Sequence, residues 1–274
     1  MKPSFYIQPE TIDTTNASLF IEINTQGLSY IILNGGVCVA MVMYKFTSNT
    51  PDEMAADNIH QVIMEQPVLK QNFTSVTIIY GYASSVLIPG SFINNTDNDA
   101  LLQLVYGEAG DGITRTDEIK LQPVQNVYRV PGVIEMVMKR YFELARFTHL
   151  FSLLPGIAKG PAAAAYCIFS SGQFTVMLTK DGAIQALQNY CYKTPEDVAY
   201  QLIFLSKSFG INAMELTIRL SGMIDEYSLL YTELYKYFLL LVFDELPAQY
   251  QYPEELNKYP AHYFSHLFAV ALCV

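Results

Sequence analysis

One succession of strands and a helix occurs twice along this chain, and the duplication narrows the possible folds more than any motif does. SLFIEIN, TQGLSYIILNGG and VCVAMVMYKF alternate apolar and polar residues and lead into TPDEMAADNIHQVIMEQ. AAYCIFSS, GQFTVMLTKDG and AIQALQNYCYK do the same and lead into TPEDVAYQLIFLSKSFG. Period-two alternation marks strands, and the longer segments place apolar residues three and four apart, as a helix does. Gly36 and Gly182 close the second hairpin of each copy, and Thr50-Pro51 and Thr194-Pro195 open the two helices. The reading is two β-meanders, each feeding a crossover helix and then a parallel strand.

Local chemistry fills in the plan. Phe20, Glu22 and Asn24 face one side of the first strand, Ile21 and Ile23 the other. Asn24-Thr25-Gln26-Gly27 is a turn in which Gly27 is able to take a positive φ. Thr50 is expected to cap its helix, with Pro51 presetting φ and Glu53 reaching back to the cap, and Thr194-Pro195 repeats the arrangement. Helical spacing predicts buried stripes of Met54, Ile59, Val62 and Ile63, and of Val198, Leu202, Leu205 and Phe209. Strands are expected over residues 76–82 and 214–220. Between the copies lie an extended piece at 86–89, a helix through Tyr106 capped by Asp97 or Asp99, and a surface loop at 107–112. That loop's glycines do not match a dinucleotide fingerprint. A strand pair at 118–130 and a helix from Pro131 to about Phe147, with Val133, Val137, Tyr141 and Leu144 on one face, complete the first half. Pro155, Gly156, Gly160 and Pro161 punctuate the join. Later come a helix at 228–237 capped by Asp225-Glu226, a strand at 238–243, and an apolar closing helix at 261–274.

Composition sets limits. With 274 residues, two similar domains are expected, and 51% hydrophobic against 15% charged residues fits sheets covered on both faces. A formal charge of −10 argues against nucleic acid, which demands clustered Lys and Arg. Cys38, Cys167, Cys191 and Cys273 show no metal or redox spacing and read as small buried hydrophobes. His262 and His266 lie four apart on the closing helix, yet no Glu stands between them in the metalloprotease manner, so core histidines or a polar face are expected. No nucleophile stands in a G-x-S-x-G turn. Asp244-Glu245 ends a strand, where carboxylates often sit in the clefts of α/β folds, and solvated strand-end charge is the favoured reading. Tyr227, Tyr231 and Tyr235 line one helix face, as interior packing or a protein-binding surface. MKPSFYIQPE carries no secretory leader pattern and no apolar run approaches the ~20 residues that span a bilayer, so the expectation is a cytoplasmic protein without membrane insertion.

A meander, a crossover helix, further strand–helix units and the same plan again resemble the actin-like ATPase superfamily, which has a ribonuclease H-like fold. Leu87-Ile88-Pro89-Gly90-Ser91 looks like a strand-loop of its pilus-assembly branch, and FAVALCV is similar to that branch's apolar closing helix. Asn189–Tyr192, Thr194-Pro195-Glu196-Asp197, Tyr200 and Leu220-Ser221-Gly222 resemble a bacterial family of unknown function (DUF3822-like). The resemblance implies an α/β duplicated fold with two similar lobes around a cleft: 1–155, with 261–274 packing back on it, and 156–260. It also implies where a nucleotide would be met: Glu22, Asn24 and Gly27 in the first hairpin, Ser170, Ser171 and Gly172 in the second, and Ser221-Gly222 at the adenosine position. The superfamily places Asp where Glu22 stands, an acid in the second hairpin where Ser170-Ser171-Gly172 has none, and a Gly-Gly pair where this chain has Ser221-Gly222. The expectation is therefore a catalytically degenerate protein that binds another protein as a scaffold, without a cofactor. The alternative is an ATPase or kinase that uses ATP with Mg, with Glu22 as the acid on the metal side.

Overall fold

The computed structural model describes residues 1–47, 50–95, 97–107, 111–120, 123–160 and 162–274. Glu108, Ala109, Gly110 and Pro161, expected in loops, lie outside the described residues. The chain divides into two compact units: Met1–Leu153 with Ala248–Leu256 and Val274, and Leu154–Pro247 with Asn257–Cys273.

In the first unit β1 (Phe5–Ile7), β2 (Ala17–Asn24), β3 (Gly27–Asn34), β4 (Val37–Lys45), α1 (Asp52–Glu65) and β5 (Ser75–Tyr80) follow the duplicated plan. An added three-stranded sheet comprises β6 (Ser85–Pro89), β7 (Gly112–Glu118) and β8 (Val124–Pro131), with α2 (Asn98–Tyr106) between its strands. The chain then runs through α3 (Gly132–Tyr141), β9 (Arg146–His149) and α4 (Leu150–Leu153). The main sheet has the order β1-β4-β3-β2-β5-β9, with β5 parallel to both β2 and β9. Leu19, Ile21 and Ile23 are fully buried under α1, which packs through Ala55, Ala56, Ile59, Val62 and Ile63.

The second unit repeats this more simply: β10 (Ala164–Ser170), β11 (Gln173–Lys180), β12 (Ala183–Cys191), α5 (Pro195–Ser208), β13 (Thr217–Gly222), α6 (Leu229–Tyr235), β14 (Leu240–Phe243) and α7 (Ser265–Ala271). Its sheet order is β12-β11-β10-β13-β14, with β13 parallel to both neighbours. Val198, Leu202 and Leu205 are buried as their spacing predicts, with Phe209 packed against them.

Several local expectations give way. Thr194 accepts from the Asp197 amide and Asp197 answers in a complete capping box, but Thr50 turns back to donate to the Thr47 carbonyl at 2.6 Å, and α1 starts without a side-chain cap. Met54 is exposed, and Ala55 and Ala56 take its place in the stripe. The helix opened by Pro131 stops at Tyr141, because Phe142 leaves helical geometry and residues 146–149 are drawn into the sheet as β9. Leu144 is therefore 98% exposed, and Ile134, Glu135 and Met138 are the buried residues of α3. Ser228, two residues beyond the Asp225-Glu226 pair, caps α6. The closing segment, expected with the first half, groups with the second unit, where α7 lies against β13 and Ser221 meets His262 and Ser265.

Candidate functional site

Glu22 lies on β2 between Ser29 of β3 and Ile79 of β5, only 8% exposed. Burial raises its carboxyl to about 7, against the pull of a hydrogen bond from Asn24 Nδ2 to Glu22 Oε1 at 3.1 Å. Asn24 also closes the hairpin: its Oδ1 accepts from the Gln26 amide at 2.8 Å and the Gly27 amide at 3.1 Å. This turn, closed by a side chain, leaves Gly27 out of the positive-φ region. Glycine is needed there for another reason, since a Cβ would lie 2.0 Å from the Tyr44 carbonyl oxygen. Glu22, Asn24 and Gly27 thus form one connected group.

In the second unit the turn Ser170-Ser171-Gly172 links β10 to β11. Gly172 has φ +74°, and Ser170 Oγ is turned inward to the Gln173 carbonyl at 3.1 Å. Ser221 and Gly222 end β13. Ser221 Oγ donates to the His262 carbonyl at 3.1 Å and lies 2.8 Å from Ser265 Oγ and 3.4 Å from His266 Nδ1. Gly222 has φ +78°, and a Cβ on it would meet the Phe169 carbonyl oxygen at 2.2 Å. His262 and His266 are core histidines: His262 Nε2 faces the Ile224 carbonyl at 2.7 Å, and burial depresses His266 to about 4. Among the described residues no group of three or more His, Cys, Asp or Glu is gathered as metal ligands do.

Three polar clusters have no local signal in the sequence. Asp117 on β7 accepts from Ser152 Oγ at 2.7 Å, the His149 amide at 2.8 Å, Thr148 Oγ1 at 2.9 Å and Tyr128 Oη at 3.2 Å. His149 is fully buried, its Nδ1 accepting from the Phe151 amide and its Nε2 donating to the Tyr82 carbonyl, and burial lowers it to about 4. Glu135 on α3 is bonded by Arg115, by Tyr80 Oη at 2.8 Å and by Lys139 at 3.1 Å. Burial would raise its carboxyl, but these donors hold it below the usual range. Asp244, expected in solvent, is instead paired with Arg219 Nε at 2.8 Å, and burial keeps its carboxyl above the usual range despite that cation.

No curated protein matches the chain. A protein with actin-like ATPase fold and unknown function from Bacteroides thetaiotaomicron VPI-5482 superposes with a TM-score of 0.79 at 17% identity, over 96% of this chain and 100% of that one. A chain of the PilM-PilN type IV pilus biogenesis complex superposes with 0.62 at 9% identity, covering 95% and 98%. Ethanolamine utilization protein EutJ from Carboxydothermus hydrogenoformans gives 0.53 at 10% identity, covering 98% and 92%. At these identities the likeness concerns the fold, which is that of the actin-like ATPases. Residues 8–240 match the family described as "Protein of unknown function (DUF3822)", and the chain belongs to that family.

Proposed function

We propose that this actin-like chain acts by binding another protein, as a scaffold, and does not turn over a nucleotide. The observation that carries the reading is the end of β13. The Ser221 hydroxyl, expected to meet a nucleoside, is spent on the closing segment through His262 and Ser265, and the space beside Gly222 is filled by the Phe169 carbonyl. Two further features support it. A hard cation asks for ionised carboxylate oxygen, whereas Glu22 is buried, raised to about 7 and held by Asn24. Ser170-Ser171-Gly172 brings no acid at all. These residues do not fit a magnesium–triphosphate site. The similar PilM is found in a complex with a protein partner, PilN, which accords with the fold serving as a binding platform. No helix among the described residues is long and apolar enough to cross a membrane.

A thermal unfolding titration with Mg-ATP tests the proposal. Ligand at a hundred times its dissociation constant adds about 2.7 kcal/mol, a shift of several degrees. The expected result is no shift at millimolar Mg-ATP. A clear shift, abolished by Glu22→Gln, would establish the ATPase or kinase alternative.

A further inference from the structure

The outer edge of the second sheet is open. The amide of Asp244 donates to the Leu220 carbonyl at 2.9 Å, so residues 240, 242 and 244 direct their backbone groups toward β13, and Leu241 and Phe243 direct theirs outward. Among the described residues no strand pairs with β14 on that side. Residues 237–243 read Tyr-Phe-Leu-Leu-Leu-Val-Phe, without the charge, proline or bulge that blunts natural sheet edges. Leu239, Leu240 and Val242 are 57%, 45% and 42% exposed. At the matching edge of the first sheet, which likewise has no further strand among the described residues, the outward amide of His149 on β9 is taken by Asp117 of the added sheet.

We propose that β14 receives an extended segment of a partner protein as a sixth strand, apolar at alternate positions and carrying Lys or Arg. This deepens the scaffold reading and rests on it. The basic character comes from Glu245 just past the strand and from the chain's formal charge of −10, since Asp244 is already paired with Arg219. The same charge disfavours a second copy of this chain as occupant. Main-chain bonds to Leu241 and Phe243 supply affinity, and contacts with the exposed side chains of Leu240 and Val242 supply selection.

The test pans a library of random extended peptides displayed on phage against the whole chain, then measures synthetic versions of the enriched peptides by fluorescence anisotropy. Enriched peptides are expected to be apolar and basic, to slow hydrogen exchange at Leu241 and Phe243, and to bind Val242→Lys at least tenfold more weakly. Glu245→Lys weakens them less, and Leu104→Lys on α2 leaves them unchanged. Unfolding midpoints of the variants report that each is folded. Absence of enrichment, equal binding to Val242→Lys, or a dimer by light scattering that Val242→Lys dissolves would overturn the proposal. A partner that binds Val242→Lys normally would overturn it while leaving the scaffold reading in place.

Discussion

In the first sheet the last parallel strand, β9, ends at His149, whose outward amide donates to Asp117 at 2.8 Å. In the second, β14 ends at Phe243, and each of these strands is the last of its sheet among the described residues. Both strands sit beside the strand that comes after the crossover helix, so the framework is common and the difference lies in the chain inserted downstream of that strand. Between β5 and α3 the first unit inserts β6, α2, β7 and β8, and Asp117 rides on that insert, whereas β13 runs directly to α6. A duplicated fold can thus spend extra chain to occupy the outward amide at the end of one copy's last strand, while the other copy carries no such insert.

The comparison breaks hardest at Asp117. Asp117→Ala leaves the donors of Thr148, His149 and Ser152 without their acceptor, and a loss of about 3–5 kcal/mol is expected in denaturant unfolding. A loss below ~1 kcal/mol would mean that the insert does not secure that amide.

Glu22 and the buried histidines pull in opposite directions with pH. A carboxyl raised from 4.5 to about 7 in the fold contributes stability that is full below 4.5 and lost as pH rises through 7. His149 and His266, lowered to about 4, contribute stability that is full above 6.5 and lost as pH falls toward 4. The difference between the wild type and Glu22→Gln isolates the carboxyl. Glu22→Gln is expected to be the more stable at pH 8, by up to about 3 kcal/mol, with the gap closing by pH 4.5. A gap that does not change with pH would place Glu22 in solvent.

Where β2 pairs Ile23 with Tyr80, β10 pairs Phe169 with Gly222. Gly222→Ala forces a Cβ against the Phe169 carbonyl at positive φ and is expected to lose about 2–3 kcal/mol, read as a lowered unfolding midpoint. A neutral effect would mean that the end of β13 is open enough for a ligand. The smallest contrast is at the helix starts. Thr194→Ala is expected to lose about 1 kcal/mol with its capping box, and Thr50→Ala less than about 0.5 kcal/mol, because Thr50 caps nothing.

The parts of the fold legible in the sequence are those fixed by neighbours in the chain. The alternation of residues 18–24, the turn at Asn34-Gly35-Gly36 and the Thr-Pro start of α5 all act within a few positions. Asp117 shows the opposite case. Three of its four partners lie 31 to 35 residues away, and GITRTDE looks like any polar strand. The strand Arg146–His149 has no apolar run to announce it, so helical spacing extends α3 too far and places Leu144 inside. Ser221 and Gly222 stand out in the sequence as unusual residues, and the structure gives both a special role. Their partners, the Phe169 carbonyl and the closing segment, belong to packing that no local pattern records.

The path of the chain after β14 has one more consequence. Ala248–Leu256 belongs to the first unit, where Gln251 bridges Val37 and exchanges hydrogen bonds with Cys38 and Gly36, and the chain then rejoins the second unit. During translation the start of β4 therefore waits for a companion that leaves the ribosome more than two hundred residues later. A gene cut between codons 153 and 154 would yield an amino-terminal fragment deprived of that late stitch. Neither half can be harvested by simple truncation.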